Sequence, residues 1–419
     1  TSTATDTAGN TGVASAALTV TVDTTAPVAP SAADLAAASD SGSSDSDDIT
    51  NDDTATVSGT AEAGSSIALT SDVDGAVGTA TADGSGDWSI TSSALSEGAH
   101  SLTSTATDTA GNTGVASAAL VITVDTTAAA VPSTPDLAAV SDSGTLDNDD
   151  ITNDTTPTFT GTSDAGAVIS ISSDVDGAVG TATANGAGVW ALTSSALTEG
   201  AHDLTATATD AAGNTSAASA ALAITVDTTA PTAPSAPDLD AASDSGSSST
   251  DDITNDTTPS LAGTAEAGAV VTLTSSVDGA VGNATADGSG DWSITSSALA
   301  EGAHDLTAAA VDAAGNTSVA SAILAVTIDT TDPNAPGVAD LDAGSDTGTL
   351  DDDNITNDTT PTLTGTAEAD ATVTLTSDVD GAVGSATADG AGDWSITSSA
   401  LAEGAHDLTA TATDAAGNT

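Results

Sequence analysis

Trp88, Trp190, Trp292 and Trp394 are each separated by 102 residues, and so are His100, His202, His304 and His406. The motif Asp-x-Ala-Gly-Asn keeps the same step, beginning at Asp6, Asp108, Asp210, Asp312 and Asp414. A period this long is one whole domain, because solenoid units run about 20 to 50 residues and cannot bury a core singly. The chain therefore reads as beads on a string at 26–127, 128–229, 230–331 and 332–419. Residues 1–25 carry the closing strands of a preceding repeat, and 332–419 is a repeat lacking its last strand. The beads meet at "VDTTAPVAP", "VDTTAAAVP", "VDTTAPTAP" and "IDTTDPNAP", Pro-bearing stretches that suit stiff connectors. With no methionine, no signal peptide and no apolar run near the roughly 20 residues of a membrane span, the chain reads as an excised piece of something longer.

Inside the third repeat, apolar and hydroxyl residues alternate with a period of two. "VVTLTSSV" puts Val271 and Leu273 on one face, "DWSIT" pairs Trp292 with Ile294, and "ILAVTID" aligns Leu324, Val326 and Ile328. Gly and Asp turns such as "VDGAVG", "ADGSGD" and "DAAGN" separate these runs, and no capped 3.6-period stretch occurs. The spacing predicts an all-β chain of tandem Ig-like sandwiches, about seven strands each, in a linear rod. At about 40 Å per domain, four would extend on the order of 160 Å. Leu, Ile, Val and Phe fill only 17 of the 102 positions from 230 to 331. Composition alone would place so acidic a chain among disordered ones. Alanine must fill much of the core, each domain should be marginal without an external stabiliser, and the single Trp per domain reads as its core anchor.

Charge limits what the chain can bind. It holds 61 Asp and Glu, four His, no Lys, no Arg and no Cys. A polyanion requires a basic footprint, so nucleic acid is excluded, and direct contact with an anionic membrane for the same reason. The densest acidic stretch, "DLDAASDSGSSSTDDITNDTTP", puts six aspartates between Asp238 and Asp256, in the loop between the first and second strands. An up-and-down trace places that loop at one pole and the Asp-x-Ala-Gly-Asn loop at the other, so stacked domains press acid on acid. Each carboxylate pair at 4 Å costs about 1 kcal/mol in water and about 4 at a protein-surface dielectric. Ca²⁺ would reverse that sign, since it takes six to eight oxygens in loose geometry; Zn²⁺ would want Cys or His, and Mg²⁺ a strict octahedron. The alternative is a solvated acidic surface, as in proteins adapted to high salt.

The four copies sort the candidate ligands. Asp244 has counterparts Asp40, Asp142 and Asp346; Asp252 has Asp48 and Asp150, with Asn354 in the last copy. Asp256 is matched by Asp52, Asp154 and Asp358, and Asp329 by Asp23, Asp125 and Asp227. Asp136, Asp238 and Asp340 stand at the head of the loop. Asp240 and Asp291 are set aside, because Ala36, Ala138 and Val189 replace them in other copies. No EF-hand loop is present, since the twelfth positions hold Ser249 and Asn185. Any site must be assembled from several loops.

Through "TATATDAAGNTS", "TPTLTGTAEA" and the recurring "DTTAP" joint, all four repeats resemble the tandem bacterial immunoglobulin-like domains of giant RTX adhesins, ice-binding ones among them, and of biofilm-associated surface proteins. That resemblance implies a calcium-dependent spacer, exported by a type I system and anchored at the outer membrane. It also implies calcium at the domain joints. By motif these ligands map onto Asp23, Asp125, Asp227 and Asp329 of the "DTT" joints and Asp108, Asp210, Asp312 and Asp414 of the facing loops.

Other readings are weaker. Ice binding by the Thr-rich strands is opposed by sheet twist. A hydrolase triad around His304 lacks a Gly-x-Ser-x-Gly elbow, and "AEGAHDL" reads better as a turn capped by the His. A carbohydrate- or protein-binding module is the serious rival to the spacer, but one Phe, no Tyr and four equivalent Trp offer little to bind with. Finally, residues 12–25 form a last strand without a domain, and the fourth repeat is a domain without that strand, so neighbouring chains are expected to complete each other.

Overall fold

The computed structural model describes residues 1–350 and 353–419, and every regular element among them is a β-strand. Two compact units make up the chain: residues 1–138 with 156–224, and residues 139–155 with 225–419. In the first repeat the strands are β1 (Asp34–Leu35), β2 (Ile49–Thr50), β3 (Thr56–Thr60), β4 (Ser66–Ser71), β5 (Gly75–Thr81), β6 (Asp87–Thr91), β7 (Gly98–Thr107) and β8 (Leu120–Val124). One sheet runs β1-β3-β6 and the other β2-β8-β7-β4-β5. All pairings are antiparallel except β2 with β8, where Ile49 faces Thr123 and Thr50 faces Val124.

The third repeat builds the same two sheets from Asp238–Leu239 to Leu324–Ile328. These are tandem Ig-like sandwiches, as the alternation predicts. Two local features differ from the expected strands. The first strand pairs over only two residues, Asp34 with Ser58 and Leu35 with Val57, and the Ser31 amide adds one bond to the Thr60 carbonyl. The acidic loop contributes the extra strand β2. Asp48 turns the chain with φ of 60°, the Thr50 hydroxyl donates to the Ser39 carbonyl within the loop, and the Thr123 and Asp125 amides donate to the Asp48 and Thr50 carbonyls at 2.8 Å, which holds β2 beside β8.

The inward faces carry the period-two residues: Val57, Ile67, Leu69, Leu102 and Ile122 are buried, with Ala55, Ala82 and Ala106 between them. Trp88 is also interior, and its ring lies against Gly59, its cross-strand partner. Each repeat reserves a glycine there. A Cβ on Gly263 would sit 2.5 Å from Trp292 Cζ2 and 2.7 Å from Ser235 Oγ. Gly263→Ala should therefore cost about 1–3 kcal/mol through overpacking. Calorimetry of the four-repeat chain is expected to show one transition split off to lower temperature, and an unchanged thermogram would mean that the Trp ring yields freely.

Candidate functional site

Two acidic regions recur in every repeat, and they are built from different chemistry. The first is the loop between β1 and β3. Its aspartates are wound inward by a tight turn, in which the Ser39 and Asp40 amides both donate to the Ala36 carbonyl, at 2.7 and 3.0 Å. Asp40 is thereby 6% exposed. Its Oδ2 accepts the Asp48 N–H at 3.4 Å, while Oδ1 is buried with no hydrogen-bond partner. The same oxygen is orphaned at Asp142, Asp244 and Asp346. A buried, unpartnered carboxylate oxygen is costly, and its recurrence in all four copies marks a place where a cation would be favoured.

The charge around this oxygen is concentrated. Burial, followed by the fields of Asp40, Asp34 and Asp47, pushes the Asp48 carboxyl above its ordinary range. Asp252 is raised by burial and by Asp244, Asp238 and Asp251. Asp142 and Asp244 are likewise raised, chiefly by burial. The aspartates at 47, 149, 251 and 353 belong to these loops and Asp34 opens β1, and none of them is among the sequence-selected residues; adjacency to Asp48 and its counterparts was the signal for the first four, and the 102-residue step from Asp136 the signal for Asp34. Asp52 has a bracing role. Burial alone would raise it, yet donors from Thr54 and Ser39 outweigh that and lower it. Asp256 and Asp358 are braced by Thr258 and Thr360 in the same way. Among the described residues, no three His, Asp or Glu side chains are gathered at metal-ligand spacing. The donor set is nonetheless all oxygen, as a hard cation requires.

The second region is the joint. Asn214 Nδ2 donates to its own Asp210 Oδ2 at 3.0 Å and to the backbone carbonyl of Asp125, which ends the preceding repeat, at 2.8 Å. Asn112 reaches the Asp23 carbonyl at 3.1 Å, and Asn316 and Asn418 reach those of Asp227 and Asp329 at 2.8 Å. A second strut runs the other way. The Ser41 hydroxyl, next to buried Asp40, donates to the Ala212 carbonyl at 2.6 Å; Ser143 to Ala314 and Ser245 to Ala416 repeat it at 2.5 Å. Backbones meet so closely that a Cβ on Gly42, whose φ is +99°, would lie 1.9 Å from the Ala211 oxygen.

The expected meeting of the acidic loop with the Asp-x-Ala-Gly-Asn loop thus occurs, but its direct contacts are neutral. Asp125 and Asp329 join through their carbonyls, and their carboxylates turn back onto the amides of Thr127 and Thr331. Asp23 and Asp227 do the same with Thr25 and Thr229. Asp108, Asp210, Asp312 and Asp414 each accept from the backbone and side chain of their own Asn, and these bonds, the Asn112 side chain first, hold the Asp108 carboxyl below its ordinary range. Asp136, Asp238 and Asp340 open the short first strands.

The bacterial Ig-like domain family matches residues 26–126, 128–228, 230–330 and 333–419. This chain belongs to that family. Among curated proteins, none matches it. Among solved structures, the Clostridium thermocellum CbhA fibronectin(III)-like modules are 20% identical over 43% of this chain and 87% of theirs, with a TM-score of 0.27. The BSP domain of a biofilm associated protein is 12% identical over 96% of each chain, TM-score 0.18. Invasin, a bacterial integrin-binding protein, is 14% identical over 93% of this chain and 75% of its own, TM-score 0.30.

Within each bacterial Ig-like repeat the histidine serves as a strut. His100 is 1% exposed; its Nε2–H donates to the Ser96 carbonyl at 2.6 Å, and its Nδ1 lies 3.0 Å from Ser71 Oγ. His304 caps its turn through Ala300 in the same way. Ser, His and Asp74 are close, but a buried imidazole bonded at both nitrogens offers a substrate no approach.

Two outcomes follow from these geometries. Asn214→Ala removes one of the joint's bonds, and the stretch 125–132 should then be cut several-fold faster by a protease that cleaves after small residues; unchanged cleavage would make the bond incidental. Carboxyls raised in the fold destabilise it when ionised, so their penalty is full above the folded value and vanishes as pH falls to the unfolded value of 3.8. Asp252→Asn, which copies Asn354, should raise the melting temperature of chelator-treated chain at neutral pH and shrink its gain towards about pH 4, by an effect of order 1 kcal/mol. A variant that melts no higher would show that the loop is not strained by its charge.

Proposed function

We propose that the four bacterial Ig-like repeats are a structural extender of a giant surface adhesin. They carry a distal adhesive domain away from the cell, outside it, and calcium stiffens the joints. The observation that carries this reading is the recurrence of one joint bond, Asn Nδ2 to the preceding repeat's Asp carbonyl, at 2.8–3.1 Å in every copy. Identical joints suit a part whose length and straightness matter. The resemblance to RTX adhesins, and with it type I export and outer-membrane anchoring, belongs to the same proposal.

Asp40, Asp142, Asp244 and Asp346 are the residues best suited to hold the cation, since each keeps one buried oxygen without a donor. Asp48, Asp150, Asp252 and Asn354 follow them in the loop with left-handed backbone. A bound Ca²⁺ would supply the positive charge that the chain lacks. The protein's share is to draw the loop carboxylates together, and Ser41, one residue from Asp40, passes that ordering to the Ala212 carbonyl across the joint. The rival carbohydrate-binding reading finds little support, because all four Trp are buried, at 2–4% exposure, and so is Phe159.

Calorimetry and small-angle scattering, with calcium, with chelator, and with sodium chloride at matched ionic strength, test the proposal. Calcium should raise the melting temperature and lengthen the largest dimension where sodium does not. The quadruple Asp→Asn variant at 40, 142, 244 and 346 should lose that response. Equal effects of both salts would favour a plain solvated acidic surface.

A further inference from the structure

The turn that joins the two sheets of the second repeat differs chemically from its three counterparts. Asn185 and Gly186 form the one Asn-Gly pair in the sequence; every other asparagine is followed by Thr, Asp, Ala or Ile. Asp83, Asp287 and Asp389 stand where Asn185 does, and Asp87, Asp291 and Asp393 where Val189 does. The backbone of the turn is nonetheless the same. The Asn185 N–H donates to the Val189 carbonyl at 2.9 Å and the Asn185 carbonyl accepts from Gly188 at 2.8 Å, as Asp287 does with Asp291 and Gly290.

Three features of this turn favour one reaction. The nucleophile is open: Gly186 is exposed, its N–H donates to none of the described residues, and even a Cβ there would meet nothing within 4 Å. The side-chain carbonyl is polarised, because Asn185 Oδ1 accepts the Ala187 N–H at 2.8 Å and the Val189 N–H at 3.1 Å. Two amides aimed at that oxygen stabilise the negative charge that gathers on it under attack. The leaving group is free, since Nδ2 of this exposed residue donates to none of the described residues.

We infer that Asn185 is a self-modifying site, converted through a cyclic imide with Gly186 into a carboxylate. The Gly186 nitrogen loses its proton and attacks Asn185 Cγ; the new C–N bond forms, the Cγ–Nδ2 bond breaks, and Nδ2 departs with the proton as ammonia. Water then opens the imide. Cleavage of the ring bond to Cγ leaves an aspartate at position 185, and cleavage at the main-chain carbonyl leaves isoaspartate, with an extra methylene in the backbone.

The fold suits the first product. An aspartate would keep both amides on one oxygen, as Asp83 keeps those of Ser85 and Asp87, and Asp287 those of Ser289 and Asp291. Such bonds strengthen when the acceptor is charged. They hold the Asp83 and Asp287 carboxyls below the ordinary range, the Ser85 and Ser289 amides first. Val189 is uncharged, so the new carboxylate is spared the acid that Asp87 or Asp291 sets four residues on. The isoaspartate fits badly, because its longer backbone pushes on Gly188, where φ is +77° and a Cβ would already lie 2.4 Å from the Ser163 oxygen.

The 419-residue chain, held for weeks at mildly alkaline pH and fragmented by electron transfer in a mass spectrometer, tests this. Residue 185 should convert several-fold faster than Asn283 or Asn334, and faster still as pH rises, because the Gly186 nitrogen must lose its proton. Gly186→Ala, at a position open enough to keep the fold, should slow the conversion several-fold. By calorimetry Asn185→Asp should melt no lower than the unaltered chain, and Asn185→Ala, which loses both amide bonds, should melt lower. Conversion at 185 no faster than at Asn283 and Asn334, or untouched by Gly186→Ala, would overturn the proposal, as would an Asn185→Asp chain that melts as low as Asn185→Ala.

Discussion

Apart from the four aspartates beside a histidine, the carboxylates of this protein must find their partners among amides, hydroxyls and water, because there is no lysine or arginine to meet them. That shortage shapes the loops. Asp83 Oδ1 draws in the N–H groups of Ser85 and Asp87, Asp108 those of Ala110 and Asn112, and Glu97 the N–H and hydroxyl of Thr126. Such bonds favour the ionised acid, and the carboxyls of Asp83 and Glu97 lie below their ordinary values through them. A chain with few apolar residues thus gains its turns from its own charge. The sandwich between them is held by a small set of Leu, Ile, Val and Trp side chains with alanine packed around them.

The joints obey the same rule. An amide side chain has two N–H groups, and Asn214 gives one to its own Asp210 and the other to the carbonyl that closes the previous repeat. One residue therefore finishes its own loop and fastens the neighbour. Ser41 and the close approach of Gly42 complete a contact in which no two carboxylates need to face each other. The repulsion expected between acid-tipped domains is concentrated instead inside the loop after the first strand, at Asp40 and Asp48, where burial raises its cost.

Much of this was legible beforehand. The 102-residue step, the alternating strands around Trp292 and the turn capped by His304 are local or periodic signals, and each has its place in the structure. The acidic loop was legible as a cluster but not as a geometry. Asp52 and Asp40 look alike in the sequence, yet one is fully braced by Ser39 and Thr54 and the other keeps a bare oxygen. Nor did Asn214 or Ser41 stand out, because amides and hydroxyls are common in turns and their partners lie 89 and 171 positions away.

The sequence by itself determined the number of domains, their all-β character, the inward face of each strand and the absence of any internal counter-charge, since these depend on period and composition. Only the tertiary structure decided which aspartates are satisfied, which oxygens bind across a joint, and that Ile49–Thr50 adds a parallel strand beside Leu120–Val124. Those outcomes depend on which loops meet in space, and a pattern of residue types carries no information about contacts between loops a hundred residues apart.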